Sequence, residues 1–197
     1  NFFLYDPKLL LYGFLIIFFA SYGQTFFISL FNIEIRNQYS LTDGQFGLVY
    51  AIATTLSSLL LIVFAKLIDH IDLRLYSFIV SAGIFLACLG MFFFIKNILF
   101  LFLIIFALRF FGQGAMSHAG ETTMARYFGK NRGKAISIAT LGGMSGVMFL
   151  PIIVINLMHT YTINQVWLMA SFTIVFFIPL LFITLSNQST RHINFKK

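Results

Sequence analysis

Long apolar runs alternate with short polar connections along the whole chain, and six such runs can be distinguished. Each is about 20 residues or longer, which as an α-helix is enough to cross the roughly 30 Å hydrocarbon core of a bilayer. The runs are too long and unbroken for barrel strands, and an open sheet cannot span lipid. We therefore predict an all-α integral membrane protein with six transmembrane helices. The predicted helices cover residues 10–33, 44–66, 75–95, 97–121, 135–158 and 165–186.

The composition agrees with a membrane protein and excludes several other classes. Hydrophobic residues make up 59% and charged residues 10% of the chain, whereas a globular domain carries about 25% charged residues. The net charge of +7 does not indicate nucleic-acid binding, because the basic residues lie between apolar runs and form no continuous face. The single Cys88 excludes a disulfide framework and a cysteine-based zinc site. We predict neither a metal nor a cofactor.

The connections on the two sides of the predicted bundle differ in charge. One side has two basic residues, Arg36 and Lys96. The other side, with both termini, has ten: Lys8, Lys66, Arg74, Arg126, Lys130, Arg132, Lys134, Arg191, Lys196 and Lys197. Cytoplasmic connections carry the excess of Lys and Arg, so the pattern predicts that both termini are cytoplasmic.

Arg109 lies inside an apolar run. An arginine at the centre of a transmembrane helix costs roughly 2.5–3.5 kcal/mol on insertion scales, so it must face a cavity or a polar partner. It either binds an anion or gates a path, or it forms a structural pair with a helix-end carbonyl. Gln113 is one turn further along the same face. The first helix carries the polar residues Tyr22 and Gln24 and a polar stripe, which either lines a water-filled path or forms hydrogen bonds between helices. The stripe consists of Ser21, Thr25, Ser29 and Asn32.

His118 and Glu121 are three residues apart in the same predicted helix as Arg109 and are therefore neighbours. An H-x-x-E pair could bind a metal or carry a coupled proton. The interpretation we favour is an interfacial ion pair between Glu121 and Arg126.

Small residues in the fourth and fifth predicted helices favour close packing. Gly142 and Gly146 form a G-x-x-x-G pair ahead of Pro151, and Gly112 and Gly114 follow Arg109. Such positions let helix backbones approach each other, and a proline inside a helix kinks it.

The residues Gly143-Met144-Ser145-Gly146 also spell the G-x-S-G found around the serine of rhomboid proteases. A serine protease needs a general base at matching depth, and His159 lies at the end of the predicted helix. We therefore predict no enzyme activity. A six-helix structural or signalling protein is a further alternative.

The turn between the second and third helices, AKLIDHIDLR at residues 65–74, resembles the motif G-x-x-x-D-R-x-G-R-R/K of the major facilitator superfamily (MFS). Asp69 matches the motif and Arg74 falls at a basic position, whereas His70 and Asp72 depart from it. In that family the aspartate contacts helix ends across two halves and stabilises the outward-open state. The resemblance therefore makes Asp69 and Arg74 a conformational switch. His70 adds the hypothesis of pH sensitivity, since imidazole titrates near neutral pH.

Three further stretches resemble the family in the same order along the chain. Arg109-x-x-Gly112-Gln113-Gly114 is similar to its helix-4 motif, and Gly142, Gly146 and Pro151 to its Gly/Pro-rich helix 5. ARYFGKNRGKAISI (125–138) is similar to its 4–5 loop. The basic residues of that loop are Arg126, Arg132 and Lys134.

The resemblance implies a fold of twelve helices in two halves, each a 3+3 inverted repeat, of which residues 1–197 would be the N-terminal half. Its partners would be the lipid bilayer, a small solute and the missing C-terminal half. The implied function is secondary transport by alternating access, as a symporter or antiporter in a bacterial inner membrane. The chain resembles bacterial monocarboxylate or oxalate/formate-type carriers most, so the predicted solute is a small organic anion. Arg109, Gln113, Tyr22 and Gln24 would line its path.

Overall fold

Six long helices form the bundle in the computed structural model, which describes residues 5–186. Each is long and apolar enough to cross a membrane, and the described residues contain no strand. The helices are α1 (Pro7–Ser29), α2 (Asp43–Asp69), α3 (Leu73–Phe93), α4 (Ile98–Tyr127), α5 (Gly129–Met158) and α6 (Ile163–Thr184). The prediction of an all-α, six-helix membrane protein is confirmed.

Polar residues fix where most of these helices begin. A side-chain oxygen just before the helix accepts a hydrogen bond from a backbone N–H of the first turn. Five residues act in this way, namely Asp6, Thr42, Asp72, Asn97 and Thr162. These side chains therefore define the positions at which the helices begin.

The pairing of the helices follows an internal symmetry. α1 packs along α5, α2 packs along α4, α3 packs along α6, and α1 crosses α4. If α1, α2 and α3 are exchanged with α4, α5 and α6 in that order, the α1–α5 pair becomes the α4–α2 pair. The α3–α6 and α1–α4 pairs become themselves. This is the relation expected of a 3+3 inverted repeat.

The two helices that cross at the centre are both irregular. α1 tightens to a 3₁₀ turn at Ser21–Gly23, passes through an extended Gln24 and resumes as a helix. α4 widens to a π-helix over Leu108–Met116. Gly23 meets Gly112 at the crossing, where a Cβ on Gly112 would lie 2.7 Å from the Cα of Gly23. The glycines thus let two interrupted helices touch backbone to backbone.

Glycines also fit α5 against α1, as the sequence predicts for close packing. A Cβ on Gly142 would overlap the carbonyl oxygen of Phe14, and one on Gly146 would overlap the hydroxyl of Ser21. Pro151 lies inside α5, and Gly114 of α4 faces Leu61 of α2.

Some predicted helix bounds are wrong. α1 ends at Ser29 and residues Asn32–Tyr39 form a separate short helix, whereas one helix over 10–33 was expected. α4 runs to Tyr127 instead of 121, and α5 begins at Gly129 instead of 135. The predicted bounds follow apolar composition, which stops at the membrane boundary, while backbone hydrogen bonding continues through polar residues beyond it.

The outer surface of the bundle is apolar where the helices have few neighbours. In the most apolar stretch of α2 only 11% of residues are buried, against 50% in α3. Leu59, Ile62 and Val63 of α2 and Ile152 of α5 are largely exposed. These faces suit contact with lipid tails or further helices.

Candidate functional site

A cavity of about 390 Å³ lies between α1, α2 and α4. Its lining is mostly polar although the helices around it are apolar. The polar lining residues are Gln24, Ser57, Ser58, Arg109, Gln113, Ser117, His118 and Glu121. The structure thus brings Arg109, Gln113 and Gln24 together at one cavity.

Arg109 sits at the buried end of this cavity and is 6% exposed. Its Nη1 donates to the carbonyl oxygen of Gly23 at 3.0 Å and to Thr25 Oγ1 at 3.2 Å. Its Nε donates to Thr54 Oγ1 at 3.2 Å. The break in α1 matters here, because it frees a carbonyl that a regular helix would use internally. Arg109 therefore joins the interrupted α1 to α2.

Arg109 forms no ion pair with a described residue, although Glu121 lines the same cavity. No Asp or Glu among residues 5–186 forms an ion pair with it, and its hydrogen-bond acceptors are neutral. The guanidinium carbon also lies 5.3 Å from the ring centre of Tyr50, a cation–π distance. Because Arg109 also lines the cavity, its guanidinium is positioned to meet a ligand there.

Gln113 lies next to Arg109 on the cavity wall. Its Oε1 is buried and has no hydrogen-bond partner among the described residues. Gln24 lines this cavity and also a second one of about 450 Å³ between α1, α4 and α5. Ser117 and Glu121 are shared by both cavities, so α4 presents a polar row between α2 and α5.

Tyr22 does not line either cavity. It is 5% exposed, its hydroxyl lies 2.8 Å from Thr173 Oγ1 of α6, and its ring packs against Phe27. Tyr22 lies in the 3₁₀ turn two residues before Gln24, and residues two apart do not share a face even in a regular helix. The structure therefore places Tyr22 in the contact between α1 and α6.

Sequence reasoning missed the contribution of α2. Thr54, Ser57 and Ser58 face Arg109 or its cavity, and Tyr50 covers the guanidinium. The available signal was a cluster of hydroxyl residues, ATTLSS, inside an otherwise apolar run. Thr54, Ser57 and Ser58 follow Tyr50 at helical spacing, which would have placed all four residues near one face of α2.

The charged residues of the turn between α2 and α3 have different partners. Asp69 pairs with Arg126 at the end of α4. Asp72 caps α3 by accepting from the backbone N–H of Arg74 at 2.7 Å. Arg74 donates to the carbonyl oxygens of Leu185 and Ser186 at 2.8 and 2.6 Å. A cation at a helix C-terminus is favourable, so Arg74 stabilises the end of α6.

The other predicted residues of this basic side are exposed. His70 lies in the turn itself, and Arg132 and Lys134 lie in the first turn of α5. Glu121 forms no ion pair with a described residue, so the favoured interpretation as a Glu121–Arg126 pair is not what the structure shows. Arg126 instead reaches across to Asp69, from the end of α4 to the end of α2.

The family model of the Major Facilitator Superfamily matches residues 13–197. This covers all but the first turns of the bundle. The chain belongs to the major facilitator superfamily. No curated protein and no solved structure matches it. Family membership and six apolar helices identify an integral membrane transport protein.

In this MFS chain the residues of the protease alternative do not come together. Ser145 donates to the carbonyl oxygen of Leu141 at 2.7 Å. His159 ends the same helix, fourteen positions away, or roughly 21 Å along the axis. The described residues contain no group of three or more His, Cys, Asp or Glu that could hold a metal ion. Nothing in the described geometry assembles a Ser145–His159 pair.

The Asp69–Arg126 pair gives a testable prediction for this MFS bundle. Both side chains are partly exposed, at 55% and 24%, and such pairs contribute about 0–1 kcal/mol to stability. We expect Asp69→Arg to change the thermal midpoint in detergent little but to slow transport, because it pushes the ends of α2 and α4 apart. The double exchange Asp69→Arg with Arg126→Asp should restore transport.

The matched control for that exchange is Lys130→Glu, which alters charge in the same exposed region without touching the pair. Equal transport by Asp69→Arg and the wild-type chain, or no recovery in the double exchange, would show that the pair has no role in the cycle.

Proposed function

We propose that this chain forms one six-helix half of a secondary transporter that moves a small organic anion by alternating access. The observation that carries the proposal is the buried Arg109, which lines a polar cavity and forms no ion pair with a described residue. A buried charge is stable only when it is paired or well hydrogen-bonded. The neutral oxygens around Arg109 supply hydrogen bonds, and an anion bound beside the guanidinium would supply the direct ion-pair partner that Glu121 does not provide.

The chemistry of the cavity supports an anion over a neutral or cationic solute. Arginine recognises carboxylates through two parallel hydrogen bonds, and Arg109 lines the cavity. Gln113 and Gln24 add amide groups on the same wall. The volume of about 390 Å³ lies at the small end of ligand sites, which favours a monocarboxylate or oxalate-sized solute.

Alternating access requires a second six-helix unit against which this one can rock. The exposed apolar faces of α2 and α5 are suitable surfaces for it. We propose that this second half is either a continuation of the same protein or a second copy. The solute path would then run between the two halves, past Arg109.

The charged turn would act as the conformational switch of this transporter. Asp69 links α2 to the 4–5 connection through Arg126, while Arg74 holds the end of α6. His70, Arg132 and Lys134 lie exposed around this switch. The excess of basic residues supports an orientation with this side in the cytoplasm, here of a bacterial inner membrane.

Counterflow in proteoliposomes tests the proposed function. Vesicles loaded with unlabelled formate, L-lactate or oxalate should accumulate the labelled form of the anion that is transported. Vesicles loaded with unlabelled glucose or choline should not accumulate labelled glucose or labelled choline. Counterflow of only the neutral or the cationic compound would contradict the proposal.

A further inference from the structure

A second polar group lies in the cavity of Arg109, nearer the basic side. It consists of His118 and Glu121, with Thr122 beside His118 on α4. The Nε2 of His118 lies 3.2 Å from Thr122 Oγ1. The Nδ1 is buried and has no hydrogen-bond partner among the described residues. His118 and Glu121 both line the cavity.

This arrangement leaves one ring nitrogen without a function in the fold. A buried polar atom without a partner is unfavourable, and structural histidines normally have both nitrogens satisfied. A neutral imidazole can accept at one nitrogen, whereas the protonated ring donates from both. His118 is thus built to change its bonding when a proton arrives.

The charges around His118 are few. Arg109, Glu121 and Arg126 share its helix, and Asp69 stands at the end of α2. Asp69 is already paired with Arg126. The other residues facing the cavity from α1 and α2 are neutral, namely Gln24, Ser57, Ser58 and Leu61. α5 contributes no ionisable residue to either cavity.

The net charge of the cavity is therefore set by Arg109 and Glu121. When His118 is unprotonated and no solute is bound, the ionisable residues lining the cavity are one cation, Arg109, and one acid, Glu121. A bound anion leaves the cavity one unit negative. Protonation of His118 restores the balance, so anion binding and proton binding favour each other. By linkage the coupling is reciprocal.

We propose that His118 is the proton-binding site that couples this transporter to a proton gradient, with one proton carried beside each monovalent anion. The inference rests on the proposed function, since it needs an anion at Arg109. The proton comes from water, binds Nδ1, and is released to water on the other side with the anion. Exposed Glu121 passes it between His118 and the solution. No bond other than N–H forms or breaks, and no redox step is involved.

Isothermal titration calorimetry tests the coupling directly. Formate and L-lactate are titrated into the full chain in lipid nanodiscs, in phosphate and in Tris at one neutral pH. The difference in apparent heat between these buffers gives the number of protons taken up per anion. We expect about one proton per anion at saturation when the free site is mostly unprotonated.

The matched variants are His118→Gln and His159→Gln. His118→Gln should still bind the anion but take up no proton, whereas His159→Gln, at the far end of α5, should behave as the wild-type chain. A merely structural role of His118 would not change the proton number. Binding without proton uptake in the wild-type chain, or uptake that survives in His118→Gln, would overturn this inference alone. No binding of either anion, together with no counterflow, would overturn the proposed function as well.

Discussion

Arg109→Gln is expected to reduce anion counterflow by about 30- to 140-fold, because losing a buried charge-assisted contact costs about 2–3 kcal/mol and each 1.4 kcal/mol is tenfold. The amide can still donate to one of the oxygens of Gly23, Thr25 or Thr54. It cannot provide the charge that attracts the anion. Initial rates of formate or L-lactate counterflow measure the effect.

Arg109→Lys separates charge from geometry. The ammonium keeps the positive charge but lacks the planar fork, so we expect partial activity, between the glutamine variant and the wild-type chain. Lys130→Gln is the control, since it removes one positive charge from an exposed position on the basic side and should leave counterflow unchanged. Unchanged counterflow in a folded Arg109→Gln protein would contradict the role of Arg109.

Gly23→Ala is expected to prevent correct folding, with a penalty at or above the upper end of about 1–3 kcal/mol for overpacking. The added methyl would overlap the carbonyl oxygen of Leu108 and lie 2.8 Å from the Cα of Gly112. Both obstacles are backbone atoms in the π-helical segment, so no rotamer change relieves them. The crossing of α1 and α4 would have to open, which would also separate Arg109 from Gly23.

Size-exclusion chromatography in detergent after a temperature ramp measures this loss. Gly44→Ala is the matched control, because a Cβ there meets nothing within 4 Å and the position lies in the first turn of α2. The control should match or slightly exceed the wild-type chain in stability, since alanine favours a helix over glycine. A Gly23→Ala protein as stable as the control would show that the helices do not cross as closely as described.

The regular part of the fold follows from the sequence because its signals are local. Apolar runs of bilayer length give the six helices, and polar caps such as Thr42 and Asp72 give several of their first residues. The pairs of small residues on α4 and α5 indicate where helices approach each other. Each of these signals lies within one helix or at its end, so it can be recognised without knowing how the helices contact each other.

The irregular part could not be predicted because it depends on contacts between helices. The break at Ser21–Gly23 is stable since Arg109, far away in sequence, takes up the freed carbonyl of Gly23. Tyr22, within the same break, contacts Thr173 of α6. The π-helix of α4 has no sequence signature beyond its glycines, and it sets which residues follow Arg109 around the helix.

The partners of the charged residues could not be predicted either, because they lie far away in the sequence. The family resemblance gives the aspartate helix ends as its contacts, and in the structure Asp69 pairs with Arg126 of α4. Arg74, expected beside Asp69 in a switch, instead donates to the end of α6. The switch role of these residues stays a prediction. Only the charge-exchange experiment on Asp69 and Arg126 addresses it.

The measurement that tests the central claim most directly is protection of the Arg109 cavity by the transported anion. Cys88, the single cysteine of the chain, is first replaced by alanine, and a cysteine is introduced as Ser58→Cys in the cavity wall or as Ser137→Cys on exposed α5. The rate of labelling by a negatively charged methanethiosulfonate is then measured with and without the anion that shows counterflow. We predict that the anion slows labelling of the Ser58 position and leaves the Ser137 position unchanged. Equal labelling rates at the Ser58 position with and without the anion would contradict a solute path past Arg109.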